Sequence, residues 1–163
     1  MTSGRHGGER GQVALYAVLL FPILMLVLAL VLAVGTLEGA RSRLRAQLDL
    51  AALTATQALD FDALARGEPP QLVVAEADRL AREYLARNLA TGGNLPVSPA
   101  AIASAAEVAV VAAGERDPIS GAVVEVPTVS IRAVVPTRVP LLNLVGLGPV
   151  VDLSISGSAA VRT

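Results

Sequence analysis

The stretch GERGQVALYAVLLFPILMLVLALVLAVG, Gly8 to Gly35, decides how the rest of the chain folds. No residue from Gln12 to Leu37 is charged. As a helix rising about 1.5 Å per residue, the apolar run Val13 to Val34 would be roughly 33 Å long, which is enough to cross a hydrocarbon core of about 30 Å. The stretch therefore predicts a transmembrane helix at residues 13–34.

Two other interpretations of this apolar run stay open. A removable signal peptide has an apolar core of only about 7–15 residues, although Ala33-Val34-Gly35 offers the small residues of a cleavage site. A buried helix of a soluble protein is the third alternative. The length of the run favours a permanent membrane anchor.

A proline interrupts the predicted span. Pro22 has no N–H to donate to the carbonyl oxygen of Val18. Membrane helices often tolerate proline because neighbouring helices satisfy the freed carbonyl group. The alternative is that Pro22 is a flexible position that helps the helix pack in an assembly.

The arginines on the two sides of the span are too evenly divided to set its orientation in the membrane.

The helical period continues beyond Gly35. No proline interrupts the chain until Pro69, so one helix is predicted from about Gln12 to about Arg66. Its apolar residues after the span form one stripe, which contains Leu37, Leu44, Leu48, Ala51, Ala55 and Leu59. Leu50 and Leu53 lie on the opposite face. Leu44, Leu48, Leu50 and Leu53 thus mark a candidate interaction helix that packs its own domain on one side and a neighbouring protein on the other, with ordinary partial exposure of two leucines as the alternative.

A second amphipathic helix is predicted after the helix-breaking segment Gly67-Glu68-Pro69-Pro70. It runs from about Gln71 to Ala90 and carries pairs of opposite charge four residues apart at Asp78/Arg82 and Glu83/Arg87. Its apolar stripe is Val73, Ala77, Leu80 and Tyr84. The composition of Thr91 to Pro99 predicts a loop.

The last third of the chain changes to the period of strands. Apolar and polar residues alternate along 128–135 and along 151–159, as expected for half-buried strands. Glu107 to Ala113 and a segment near Ala122 to Val126 are further candidate strands. The apolar stretch Val139 to Pro149 is too short to span a bilayer and is predicted to cover the core, with an exposed patch offered to a partner as the alternative. Helices followed by an antiparallel sheet of three or four strands indicate the α+β class.

The composition excludes several kinds of function. The chain has no cysteine, which excludes disulfides, thiolate nucleophiles and cysteine-based zinc sites. Its net charge is −1 and only 2% of its residues are aromatic, so no nucleic-acid partner is expected.

No catalytic or metal-binding constellation stands out either. The one histidine, His6, lies in a Gly/Arg-rich tail. Asp60, Asp62 and Asp117 are interpreted as helix-end and turn residues, since they lack the ligand count of a calcium loop. We expect no enzyme, no cofactor, no metal and no small-molecule substrate.

Two segments resemble TadE/TadG-like proteins of the tight-adherence (Flp, type IVc) pilus system. The first combines Gly11-Gln12, the apolar helix with its early Pro22, the basic stretch Arg41 to Arg45, and the D-x-A-A-L sequence of Asp49 to Leu53. The second is the C-terminal VVPTRVPLLNLVGLGPVVDLSISGSAAVR. The resemblance covers roughly residues 9–60 and 128–162.

The resemblance implies a membrane-anchored, pseudopilin-like protein that assists pilus assembly or joins the filament as a minor subunit. Its partners would be the lipid bilayer, other pilin-like or Tad assembly proteins, and a prepilin peptidase. Processed members are cut after a glycine, for which Gly11 and Gln12 are the candidate site. They usually carry Glu as the fifth mature residue, where this chain has Tyr16. Uncut members fit that departure better.

The predicted organisation has three parts. Residues 1–12 form a cytoplasmic tail, 13–34 the transmembrane helix, and 35–163 an α+β domain outside the bacterial inner membrane. The alternative function is an exported or membrane-anchored binding domain of the cell envelope that is unrelated to pili.

Overall fold

The computed structural model describes residues 7–92, 95–139 and 148–161, with side chains from Tyr16 onward except at Ala17. Helices come first and strands follow, which confirms the predicted α+β class. The elements are α1 (Gly7–Ala55), α2 (Phe61–Ala65), α3 (Val74–Thr91), α4 (Pro99–Ala105), β1 (Glu107–Val111), β2 (Thr128–Arg138) and β3 (Val150–Ala160). Of the predicted tail and the Val139–Pro149 stretch, residues 1–6 and 140–147 lie outside the described residues.

The chain divides into two compact units. The first comprises Met1–Leu37 with Val139–Pro149, and the second comprises Glu38–Arg138 with Val150–Thr163. Most described apolar side chains along the helix of the first unit are exposed, for example Val18 at 71% and Val31 at 61%, whereas Ala33 is buried. An 18-residue window of this helix has a mean hydropathy of 3.0, so α1 is long and apolar enough to cross a membrane.

The first helix ends earlier than the predicted Arg66. The Thr56 hydroxyl donates to the carbonyl oxygen of Leu53 at 2.7 Å in the last turn. Beyond this turn the chain folds back on itself, and the Asp60 N–H donates to the Gln71 carbonyl oxygen at 2.9 Å. The prediction was wrong here because long-range backbone pairing competes with helix continuation, which a local period does not reveal.

The third helix buries a different face from the predicted one. Its buried residues are Ala77, Ala81, Leu85 and Leu89. Of the predicted stripe only Ala77 is buried, and Val73 is 43% exposed. The predicted charge pairs are present, with Arg82 3.0 Å from Asp78 and Arg87 2.6 Å from Glu83. The packing of α3 on its neighbours, rather than its own hydrophobicity, selects the buried face.

A short helix that the sequence analysis missed follows α3. The Ser98 side chain caps α4 by accepting from the Ala101 N–H at 3.2 Å, and Pro99 occupies the first turn. Arg82 of α3 closes the other end, since its Nη1 donates to the carbonyl oxygens of Ala103, Ser104 and Ala106 at 2.9–3.1 Å. The Ser-Pro pair was the available sequence signal.

The three strands form an antiparallel sheet in the order β1-β2-β3. The register pairs Arg132 with Glu107 of β1 and with Ser156 of β3. The predicted alternation is confirmed, because Val129, Ile131, Ala133, Val135, Leu153 and Ile155 are all buried. Pro136 is tolerated within β2 because it lies beyond the last residue of β2 that pairs with β1.

The connection between β1 and β2 folds over the second face of the sheet. The segment near Ala122 to Val126, a candidate strand by sequence, forms only an isolated bridge between Arg116 and Val123. Gly114 and Gly121 have φ values of +84° and +75°, a backbone region that favours glycine at both turns of this connection. The connection covers Ser130 of β2, which is only 1% exposed although it lies on the predicted polar face.

The second half of α1 packs directly on β3. A Cβ atom added at Gly157 would lie 2.6 Å from Asp49 Oδ1 and 2.8 Å from both Asp49 N and Leu48 Cβ. Those distances are shorter than van der Waals contact, so glycine is the residue that permits this approach of helix and sheet.

We expect Gly157→Ala to destabilise the second unit by about 1–3 kcal/mol, because the new methyl group overlaps the α1 backbone. The midpoint of urea denaturation, followed by circular dichroism of the full chain in detergent, measures the change. Gly39→Ala is the matched control, since its added Cβ meets nothing nearer than Arg43 Nη2 at 3.8 Å. Helix propensity alone should make the control stabilising by up to about 1 kcal/mol. Equal midpoints for Gly157→Ala and wild type would contradict the close-packing account.

Candidate functional site

The part of α1 after the apolar span has two apolar faces. Leu44 and Leu48 face the interior of the second unit and are 7% and 0% exposed. Leu50 and Leu53 lie on the opposite side of the helix and are 56% and 49% exposed. The candidate interaction residues therefore separate into a core pair and an outer pair, and we call Leu50 with Leu53 the outer leucine surface.

The D-x-A-A-L sequence explains how this surface is held. The Asp49 carboxylate accepts a hydrogen bond from the backbone N–H of Ser158 on β3 at 3.1 Å. Ala51 and Ala52 are fully buried against the rest of the unit. Because helical residues three and four apart share a face, burying these alanines directs Leu50 outward.

A second contact fixes the same part of the helix from α3. Asn88 Nδ2 donates to the carbonyl oxygen of Gln47 at 3.1 Å. With the bond of Asp49 to β3, this anchors α1 at two neighbouring residues to two different elements. The outer leucine surface therefore lies on a rigid helix and not on a loop.

A shallow groove lies beside the outer leucine surface. Its volume is about 340 Å³, and its lining is mostly apolar. The lining residues are Leu53, Thr56, Gln57, Leu59, Ala160 and Val161. Two exposed leucines next to an apolar groove form a surface that an apolar side chain of a partner can enter.

The remaining candidate positions lie in the first half of α1. Gly11 and Gln12 are part of the helix, and the Tyr16 side chain is 61% exposed. Pro22 also lies inside the helix, which continues on both sides of it. The roles in processing and membrane packing that the sequence suggests for these residues stay predictions.

The most connected polar group of the second unit is one that the sequence analysis treated as a turn residue. Asp117 is 1% exposed, and its carboxylate accepts hydrogen bonds from the Ser120 hydroxyl at 2.6 Å and the Ser130 hydroxyl at 2.8 Å. The backbone N–H groups of Ile119 and Ser120 also donate to it, at 2.8 and 3.2 Å. The turn assignment is confirmed, and the long-range bond to Ser130 ties the β1–β2 connection to the sheet.

Hydrogen bonding outweighs burial at this carboxyl group. Burial acts to raise the pKa of Asp117, whereas hydrogen bonds from Ser120, Ile119 and Ser130 lower it, and the net pKa lies below its ordinary value. All of its partners belong to the fold, so the cluster is structural.

Asp60, another candidate cation ligand, caps α2 by accepting from the Ala63 N–H at 2.9 Å. Among the described side chains, no three His, Cys, Asp or Glu residues come together as a metal site.

The fold and surface define a class of protein: an α+β unit whose first helix begins in an apolar segment long enough to cross a membrane and ends in an exposed apolar face. Residues 11–58 match the family model of Flp pilus-assembly TadE/G-like proteins. The resemblance predicted from the sequence is confirmed over that segment, and the match supports involvement in Flp pilus assembly. The length and hydropathy of α1 fit a single membrane span. No curated protein and no solved structure matches the chain.

We expect Asp117→Asn to lower the free energy of unfolding by about 1–3 kcal/mol at neutral pH, because a charged acceptor with four donors is replaced by an amide. The folded-state pKa lies below the unfolded value of about 3.9, so the stabilisation by Asp117 is present above that pH and is lost as the pH falls through the folded pKa. Wild type should therefore lose more stability on acidification than the variant.

Denaturant unfolding of the full chain in detergent between about pH 3 and pH 7 measures both effects. Asp62→Asn is the control, since Asp62 is exposed in α2 and its replacement should change stability by less than about 0.5 kcal/mol. An identical pH dependence for wild type and Asp117→Asn would rule out the assigned role.

Proposed function

We propose that this protein is a membrane-anchored, pseudopilin-like structural component of a Flp/type IVc pilus system, acting as an assembly factor or a minor subunit. Residues 13–34 span the bacterial inner membrane, and the domain from residue 35 onward lies outside the cytoplasm. The observation that supports this proposal best is that the family match at 11–58 contains both the apolar span and the outer leucine surface.

The proposed mechanism uses the two faces of α1 separately. The inner face, with Leu44 and Leu48, is already occupied by the chain's own core. The outer leucine surface is free to pack against an apolar helix of a neighbouring pilin-like or Tad assembly protein anchored in the same membrane. Full burial of a leucine side chain contributes about 1.5–3 kcal/mol, so two leucines provide a useful but reversible contact.

The supporting structure favours an interaction role over a catalytic one. Asp117 and Arg82 have the most hydrogen bonds among the described polar side chains, and these bonds connect elements of the fold itself. The outer leucine surface, by contrast, lies on a helix whose position is set by Asp49 and Gln47. A rigid apolar helix face is suited to binding another protein.

We expect the double substitution Leu50→Ser and Leu53→Ser to abolish or strongly reduce pilus formation while leaving the fold intact. Exposed residues contribute little to folding, so stability should change by less than about 0.5 kcal/mol per site. Surface pili counted by electron microscopy, with the level of the membrane-bound protein measured in parallel, test the prediction.

Two controls separate binding from folding. Val134→Ser alters a similarly exposed apolar residue, 56% accessible on the sheet, and should leave pili unchanged. Leu48→Ala should lower the protein level, because truncating a fully buried leucine destabilises by about 2–5 kcal/mol. Normal piliation in the double variant would exclude the outer leucine surface as the interface. Normal piliation without the protein would favour the alternative of an envelope binding domain unrelated to pili.

The proposed topology and processing are checked by one experiment on spheroplasts. Protease added from outside should remove the domain after residue 35 and leave a membrane-protected fragment that contains the span. We expect that fragment to retain the residues before Gly11, because Tyr16 replaces the Glu of processed family members. Mass spectrometry of the fragment measures its start. A start at Gln12 would mean prepilin-type cleavage, and complete protection of the chain would contradict the outward orientation.

A further inference from the structure

A cleft in the second unit lies beside β1, which is an edge strand of the sheet. Its volume is about 630 Å³, larger than that of the groove beside the outer leucine surface. The lining joins Val110 at the end of β1 to the segment that leads into α3, with Pro70 and Leu72. It is mostly apolar, and Glu115 is the one charged residue among those that line it.

The backbone of β1 points away from the sheet at alternate residues. The Ser158 N–H is directed away from β2, so Ser130, its register partner, directs its own backbone groups toward β1. Ala109 pairs with Ser130 and therefore bonds to β2. The residues on either side, Val108 and Val110, direct their N–H and C=O groups to the outer edge of the sheet, about 7 Å apart along the strand. We call these groups the open edge of β1.

The chain occupies this edge of the sheet immediately before and after β1. Arg82 Nη1 donates to the carbonyl oxygen of Ala106 at 2.9 Å. The Glu115 carboxylate accepts from the Ala112 N–H at 3.3 Å. Between these contacts, no hydrogen bond from residues 7–92, 95–139 or 148–161 reaches the outward groups of Val110. An unpaired strand edge is a template for another strand.

The segment that leads into α3 supplies further unpaired backbone to the cleft. Leu72 forms an isolated antiparallel bridge with Leu59, held by hydrogen bonds of the residues on either side at 2.8 and 2.9 Å. In this pattern the N–H and C=O groups of Leu72 point to the side opposite Leu59. They have no backbone partner in the described part of the chain. Extended backbone with free groups therefore contributes to two parts of the lining.

We propose that this cleft binds an extended segment of another protein, which pairs with the open edge of β1 as a fourth strand of the sheet. The segment presents apolar side chains to the lining and a lysine or arginine to Glu115. The proposal does not depend on the pilus role.

The lining determines this chemistry of the partner. The outward groups of Val110 require a donor and an acceptor at strand spacing, which an extended polypeptide supplies. Pro69, Pro70 and Val74 offer apolar surface that apolar side chains can cover, and Val74 is 61% exposed. Glu115 favours a basic side chain beside it, because complementary charges select the partner and fix the register of pairing.

Photochemical cross-linking in native membranes tests whether a partner occupies the cleft. We expect the full-length protein with p-benzoylphenylalanine in place of Val74 to give one covalent product with another protein on irradiation. Mass spectrometry should locate the linked residue in a segment of alternating apolar and polar residues. The same probe in place of Val134, which is similarly exposed at 56%, should give at least about tenfold less of this product, since cross-linking requires contact.

Two substitutions, each combined with the probe at position 74, separate strand pairing from side-chain contact. Val110→Pro deletes an outward N–H and no hydrogen bond to β2, so the fold should persist while the product falls at least about fivefold. Ser154→Pro is the matched control, because it deletes an outward N–H at the opposite edge, on β3, and should leave the product unchanged. Glu115→Lys should lower the product about two- to fivefold, since it opposes like charges.

The amount of membrane-bound protein is measured in parallel for every variant. Absence of a product from position 74, or a product that Val110→Pro leaves unchanged, would overturn the proposal. If Val110→Pro does not accumulate, an unchanged product with Glu115→Lys would overturn it instead. A product of twice the chain's mass would identify a second copy as the occupant, and a lipid adduct would identify the bilayer, and either result would also contradict the proposal.

Discussion

The close contact between α1 and β3 is the constraint on which the second unit depends. At Gly157 the helix approaches the strand so closely that a single methyl group would overlap Asp49 and Leu48. The same contact places the Asp49 carboxylate beside the Ser158 N–H and leaves the adjacent alanines fully buried. In a helix, the position of a residue in the sequence sets the direction of its side chain. Leu50 therefore faces outward once its neighbours face inward. Packing and the candidate function therefore follow from one contact.

The chain compensates for a core without large rings by two means. Small residues let α1 approach β3 closely, since Ala51 and Ala52 are fully buried and Gly157 has no side chain to hold the helix away. The second face of the sheet is covered by a connection held through Asp117 and Ser130, so polar bonds do there what apolar burial does on the first face. The outer leucine surface, on the opposite side of α1 from this core, is left exposed.

Patterns confined to one element were predictable. The alternation along β2 and β3 was confirmed because the two-residue period of a strand is a local property, and the i,i+4 pair of Asp78 and Arg82 was confirmed for the same reason. The predictions for the end of α1 and for the buried face of α3 were wrong, since each feature depends on residues distant in sequence. The Ser130 contact of Asp117 gave no local signal either, because 13 residues separate the two.

The sequence by itself determined the apolar anchor candidate, the family resemblance of its first segment, and the α+β class, because length, hydropathy and period are properties of consecutive residues. The tertiary structure confirmed the division of the α1 leucines that the helical period predicted, with Leu44 and Leu48 buried and Leu50 and Leu53 exposed. It alone located the glycine that the close approach of α1 to β3 requires. Those outcomes depend on which distant segments meet, and burial and backbone pairing exist only once they do.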